Sequence, residues 1–233
     1  MPLSQHFSIY NDMGYSLELN NITFSYSMVP FLTGVSLCVQ PGEVIGITAK
    51  AGDGKTTLLK ICAGLIEPQQ GVLLIDRKHF WQLSMKEQYR LRGELGFLFQ
   101  EGGLIANMTI FKNLALPLQY HALFSEKEIA TMIDQWLSKM KLMPYRDLRP
   151  AALSSGLRRA AGFIRTMMHE AKLFFWDEPT EGVSQELIAQ IGEAIEHAKK
   201  RGVASILTTQ DEAFLRQYTD RTLTLVDGKL EER

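Results

Sequence analysis

Apolar residues recur along the chain with two different periods, and where each period holds predicts the elements. Leu17–Tyr26 alternates apolar and polar residues about an Asn20-Asn21 turn, and Val35–Val39 repeats the alternation. Both stretches predict half-buried antiparallel strands. Val44–Thr48 is a short β-branched run, as expected of a strand covered on both faces in a parallel sheet. Gly71–Ile75, Leu95–Phe99, Leu173–Trp176 and Ser205–Thr208 add further strands. Thr222–Val226 is the last, followed by an Asp227-Gly228 hairpin turn. Helical periodicity marks Lys55–Ala63 and Met85–Arg92. A third helix opens at Leu153–Gly156 and runs to about Glu170, Gln185–Arg201 is stopped by Gly202, and Asp211–Tyr218 closes the series. Residues 105–150 interrupt this strand–helix alternation. Asn107-Met108-Thr109 suggests a helix start there, and Ser125–Met140 opens with a Ser125…Glu128 capping box. The pattern predicts an α/β fold with a helical insertion.

Composition narrows the class. The 233 residues are 45% hydrophobic and 22% charged, ordinary for a globular protein with a large core. A net charge of −1 gives no general attraction to nucleic acid or anionic lipid, so no nucleic-acid partner is expected. No apolar run approaches the roughly 20 residues that span a bilayer. Residues 1–16 are mixed and polar, a poorly fixed leader lacking the basic and apolar regions of a signal peptide. Cys38 and Cys62 stand in apolar contexts and read as core thiols rather than a disulfide. These features suggest a cytosolic protein whose membrane role, if any, comes through a partner.

The chemistry is concentrated in Val44–Lys60. A buried strand passes through the turn Ala49-Lys50-Ala51-Gly52-Asp53-Gly54 into a helix that begins Lys55-Thr56-Thr57. Strand, glycine-containing turn, Lys-Thr and helix form the phosphate-binding loop arrangement. Small residues let successive N–H groups turn inward on a phosphate chain, and the helix N-terminus adds its positive end. Lys55 would reach the β/γ-phosphates, and the Thr56 hydroxyl would hold Mg²⁺. Ala49 stands where the G-x-x-x-x-G-K-[ST] pattern has its first glycine, which would be unwelcome if that residue needs φ > 0.

Parallel strands deliver polar residues at their C-terminal ends. Asp177 follows Leu173–Trp176 and could hold Mg²⁺, with Glu178 as general base for an attacking water. Two such acids could equally cap a helix. Gln100 ends another strand with an amide that could reach metal or water. Tyr26 could stack on a purine ring or be an ordinary strand aromatic.

These pieces together resemble the nucleotide-binding subunits of ABC (ATP-binding cassette) transporters along nearly the whole chain. Tyr26 matches the adenine-stacking aromatic, Ala49–Thr56 the Walker A loop and Gln100 the Q-loop. Leu153–Leu157 matches the signature, Phe174–Glu178 the Walker B segment, Glu181–Ser184 the D-loop and Gln210 the switch position. The resemblance implies a P-loop NTPase core with a mainly parallel sheet in a single domain over 1–233. An antiparallel β-subdomain would cover about 17–48, and an inserted helical and signature subdomain about 105–170. It further implies ATP and Mg²⁺, the latter held by Thr56, Gln100 and Asp177. The ATPase chains would pair head to tail, as homodimer or heterodimer, with Ser154, Ser155, Gly156 and Leu157 acting on the partner's nucleotide. Gln210 would act with Glu178 in catalysis. An integral-membrane permease would dock near Gln100–Pro117, holding the protein at the inner face of the cell membrane.

Several positions depart from the family pattern. Ser155 and Leu157 alter the signature, Ser184 replaces the D-loop aspartate, and Gln210 replaces the switch histidine. Gln210 can donate a hydrogen bond but cannot carry histidine's charge. The departures imply slow or regulated hydrolysis. The segment FQEGGLIANMTIFKNLALPLQYH is most similar to ATPases of MCE-associated phospholipid and hydrophobic-compound transport. It is less similar to lipoprotein-release and cell-division ATPases, so a nucleotide-responsive scaffold and a silent ATP-binding subunit are the alternative readings.

Overall fold

The computed structural model describes residues 14–27, 31–50, 52–120 and 124–232. The expected leader lies almost wholly outside these residues, as does Ala51 of the glycine-containing turn. Two compact units are present.

The sheet unit comprises residues 14–97, Ala171–Glu178 and 192–232. Its strands are β1 (Leu17–Phe24), β2 (Leu32–Val39), β3 (Val44–Ala49), β4 (Gln70–Ile75), β5 (Lys78–His79), β6 (Leu95–Leu98), β7 (Leu173–Asp177), β8 (Ala204–Thr208), β9 (Arg221–Val226) and β10 (Lys229–Glu232). One sheet runs β2-β1-β4-β5 with antiparallel pairing throughout. The other runs β10-β9-β3-β8-β7-β6 and is parallel from β9 through β3 and β8 to β7. The α/β fold with an antiparallel N-terminal sheet and a mainly parallel core is therefore as the sequence predicts. β7 and β8 are buried at every residue, the consequence of near-continuous apolar runs in mid-sheet.

Three local expectations are corrected. Asn20-Asn21 is no turn: β1 continues through it with a register irregularity, and Asn21 takes φ 58°. Asparagine tolerates the left-handed region, so the pair that reads as a turn makes a bulge instead. Thr222–Val226 is not the last strand. Asp227 (φ 48°) and Gly228 (φ 76°) form a two-residue hairpin turn that returns as β10. Cys38 is exposed on an alternating strand face, whereas Cys62 is a buried thiol whose pKa burial drives upward.

Helix α1 (Lys55–Cys62) follows β3, and α2 (Met85–Arg92) carries a complete capping box between Ser84 and Glu87. Leu58, Leu59 and Ile61 of α1 join Ile45, Ile47 and Phe175 of the sheet in one core. That core fixes the strand ends from which the candidate site is built.

The helical unit comprises Leu98–Glu170 and Pro179–Ile191. It contains α3 (Ile110–Tyr120), α4 (Glu126–Lys139) and α5 (Ser155–Met167), with α3 packed on both others. The predicted Ser125…Glu128 capping box is present. Asn113 of α3 is fully buried, accepting from Ile105 N at 2.7 Å and donating to the Ile105 carbonyl at 3.1 Å. Arg146 bonds Asp134 at 2.7 Å with its guanidinium 4.1 Å from the Phe111 ring centroid. Helices α6 (Gln185–Lys200) and α7 (Glu212–Tyr218) complete the chain, α6 dividing between the units after Ile191. No helix among the described residues is long and apolar enough to cross a membrane.

Candidate functional site

The sheet unit carries the phosphate loop at the C-terminal end of β3. Gly52 (φ 92°) and Gly54 (φ 104°) both take left-handed backbone. Gly54 is doubly constrained, because a Cβ there would lie 2.6 Å from the Phe31 ring. Ala49, by contrast, is an ordinary strand residue in parallel register with Leu225. The first position of the loop asks for no left-handed backbone, so alanine costs it no strain.

Five polar side chains meet around this loop. Lys55 Nζ donates to the Ala49 carbonyl at 3.1 Å and lies 2.8 Å from Glu178 Oε1, with side-chain exposures of only 9% and 12% for the ion pair. Thr56 Oγ1 donates to Asp177 Oδ2 at 2.7 Å. Thr208 Oγ1, from the end of β8, donates to Asp177 Oδ1 at 3.0 Å. Asp177 is buried with both carboxylate oxygens accepting a hydrogen bond, as a buried polar group requires. Glu178 follows with φ 50°, a strained value for a non-glycine residue. Its N–H is held by both the Thr208 carbonyl and hydroxyl at 3.1 Å. Thr208 therefore holds both the Asp177 carboxylate and the Glu178 backbone. Sequence reading placed Thr208 at a strand end but gave it no role.

Tyr26 stands beside α1, largely exposed, with its hydroxyl 3.3 Å from Thr57 Oγ1. Phe24 meets its ring edge-on at 4.8 Å. The contact gives Thr57, buried in α1, a tyrosine partner. Gln210 is exposed and lines an open groove with Thr48, Lys50, Asp53, Glu212 and Asp227. The donors near the loop are hydroxyls and carboxylates, hard oxygen ligands of the kind Mg²⁺ prefers. Among the described residues no group of three or more His, Cys, Asp or Glu side chains could hold a metal. Mg²⁺ at Thr56 and Asp177 would thus complete its shell with phosphate oxygens and water, its usual habit.

The helical unit holds the remaining predicted residues. Ser154 caps α5, its hydroxyl accepting from Leu157 N at 3.3 Å, and Ser155 is the first helical residue. Gly156 has a local reason to be glycine: a Cβ would fall 1.9 Å from the Gly182 carbonyl oxygen. Ser184 also caps a helix, its hydroxyl accepting from Leu187 N at 3.4 Å. Gln100 is exposed, and its carbonyl accepts from Arg159 Nε at 2.8 Å. Arg159 also donates to the Glu181 carbonyl and pairs with the Glu181 carboxylate at 2.8 Å. This nearly buried arginine joins the Gln100 and Glu181 segments to α5. Sequence reading missed it; the only signal was a second arginine on an otherwise apolar helix face, Ala160–Ile164.

Comparison with known proteins places the chain in one family. The ABC transporter family model matches residues 32–181. The probable ribonucleotide transport ATP-binding protein mkl of Mycobacterium tuberculosis is 31% identical over 195 residues, 84% of this chain and 54% of that protein. The intermembrane phospholipid transport system ATP-binding protein MlaF of Haemophilus influenzae is 30% identical over 221 residues, 92% of this chain and 81% of that one. The chain thus spans about half the length of the mkl proteins it matches. Among solved structures, the ATP-binding cassette MJ0796, a dimer in a post-hydrolysis state bound to ADP and Pi, superposes with a TM-score of 0.86. It is 26% identical, and the match covers 93% of this chain and 97% of that one.

Proposed function

Because the chain belongs to the ABC transporter family, we propose that it is the ATP-binding and ATP-hydrolysing subunit of a membrane transporter. The observation that carries this reading is the convergence of Lys55, Thr56, Asp177 and Glu178 at the end of β3 and β7. Lys55 and the loop N–H groups bind the β/γ-phosphates. Thr56 and Asp177 would hold Mg²⁺, which would offset the charge of the phosphates. Glu178 takes the proton from the attacking water, Gln210 donates to the γ-phosphate, and Tyr26 stacks on the adenine.

Hydrolysis is slow. A transition-state donor of this kind is worth roughly 10²–10³ in rate, and Gln210 lacks the charge that histidine adds. Ser154, Ser155, Gly156 and Leu157 serve the nucleotide of a second ATPase chain, and the altered residues fall on both sides of such a sandwich. A permease docks near Gln100–Pro117, where Ile105 is exposed, as is Phe99 just before it in sequence. That partner holds the chain at the inner face of the cell membrane. The cargo is a lipid or hydrophobic compound, supported by the likeness to MlaF, though the mkl proteins carry a different substrate in their name.

The test is purification with its membrane partners, followed by identification of bound lipid and measurement of ATP turnover with and without Gln210→Ala. Slow turnover, reduced further by the substitution, and co-purifying phospholipid are expected. Rapid turnover by a homodimeric ATPase with no effect of Gln210→Ala would overturn the slow-engine reading, and a hydrophilic cargo would overturn the lipid assignment.

A further inference from the structure

Asp53 puts a negative charge inside a loop whose proposed work is to hold a polyanion. Its carboxylate is fixed there: Oδ2 accepts the Lys50 N–H at 3.1 Å, while Asp53 N donates to the Lys50 carbonyl at 3.3 Å. The two bonds tie Asp53 to Lys50 through side chain and backbone alike. Among the described residues, the groove that Asp53 lines holds Glu212 and Asp227 but a single ammonium, that of Lys50. The other cation of the loop, Lys55, is paired with Glu178.

Loop N–H groups converge on bound phosphate, and the Asp53 carboxylate holds one of them, the Lys50 N–H, so it lies within several ångströms of that phosphate. Like charges at that range, at an effective dielectric between protein surface and water, change affinity roughly three- to thirtyfold. We infer that Asp53 limits the affinity of this loop for nucleoside triphosphates, ordering the turn through its hydrogen bond while repelling the more highly charged nucleotide. This rests on the reading of the loop as a nucleotide site. The consequence is a site that fills only at high triphosphate concentration and distinguishes ATP from ADP poorly.

The experiment is titration of the purified protein with fluorescent Mg-ATP and Mg-ADP analogues, comparing wild type with Asp53→Asn and Asp53→Glu at low and high salt. Asn keeps the side-chain acceptor and removes the charge. The expected result is about tenfold tighter Mg-ATP binding by Asp53→Asn, a smaller gain for Mg-ADP, and a gain that shrinks as salt screens the repulsion. Asp53→Glu, which keeps the charge, should bind no more tightly than wild type. Equal or weaker binding by Asp53→Asn, or tight binding by Asp53→Glu, overturns the inference alone. Failure of every form to bind either nucleotide overturns the nucleotide-site reading with it.

Discussion

The Lys55 ammonium and the Glu178 carboxylate form an ion pair 2.8 Å across, so the proposed phosphate-binding cation and the proposed general base hold each other. A phosphate chain seated on the loop has to take Lys55 away from Glu178. Removing that competing carboxylate leaves the ammonium for phosphate, which for a hydrogen bond to a charged group is worth roughly a tenfold change in affinity. Glu178→Gln should therefore bind Mg-ADP about tenfold more tightly than wild type in calorimetric titration. ADP is the informative ligand because no hydrolysis complicates it. An unchanged ADP affinity would mean that the pair imposes no cost on binding.

Ala49→Gly restores the family's loop pattern, yet it should not improve the loop. Ala49 is extended and in register with Leu225. Glycine there only adds backbone freedom to the unfolded chain, so stability should fall by about 0.5–1 kcal/mol in denaturant titration. Nucleotide affinity should stay within about twofold of wild type. A large gain in affinity would show that the alanine is a genuine defect.

Gly156→Ala tests the packing of the helical unit. The added methyl would meet the Gly182 carbonyl oxygen at 1.9 Å, backbone against backbone, with no flexible side chain to yield. A loss of about 2–3 kcal/mol in unfolding free energy is expected. Ser155→Gly, one residue earlier and exposed, should cost about 1 kcal/mol or less. Equal stability of Gly156→Ala and wild type would exclude the close approach.

The elements were legible in the sequence because their apolar periods are strong, and several bounds need only a residue of trimming. What misled was local chemistry with two outcomes. Asn20-Asn21 can turn or bulge, and only pairing of β1 on both sides selects the bulge. Cys38 sits on an apolar stretch, but strand alternation turns it outward. In the site, the loop and the acids could be read one residue at a time. Their pairing could not, since Lys55–Glu178 joins a helix start to a strand end, and Thr208–Asp177 two strand ends, distant in sequence. Arg159, and the packing that requires glycine at 156, were hidden for the same reason: their partners, Glu181 and Gly182, lie on another segment of the chain.

Asp220 links acidity to the anchoring of β3. Its carboxylate accepts the Val44 N–H at 2.9 Å and pairs with Lys199 at 2.5 Å. Burial alone would raise its pKa, but the Lys199 and Val44 donors outweigh burial and hold it below the ordinary range. A depressed folded-state value means the stabilisation is full above the unfolded value, about 3.9, and is lost as pH falls through the lower folded one. Asp220→Asn should therefore be less stable than wild type at neutral pH, by about 1 kcal/mol for the lost charge-assisted bonds. The two unfolding curves should converge as pH drops below about 4. A difference that persists undiminished in acid would remove the carboxylate's charge from the explanation.

Whether this is an engine or a silent nucleotide-binding chain turns on Glu178. The most direct measurement is single-turnover hydrolysis of radiolabelled Mg-ATP by the purified protein with its partners, comparing wild type with Glu178→Gln. Wild type is expected to hydrolyse slowly but measurably, and the variant to be at least about 10²-fold slower, the usual worth of a general base. Equal rates in the two proteins would contradict the assignment of Glu178 as the base and of this chain as a working ATPase.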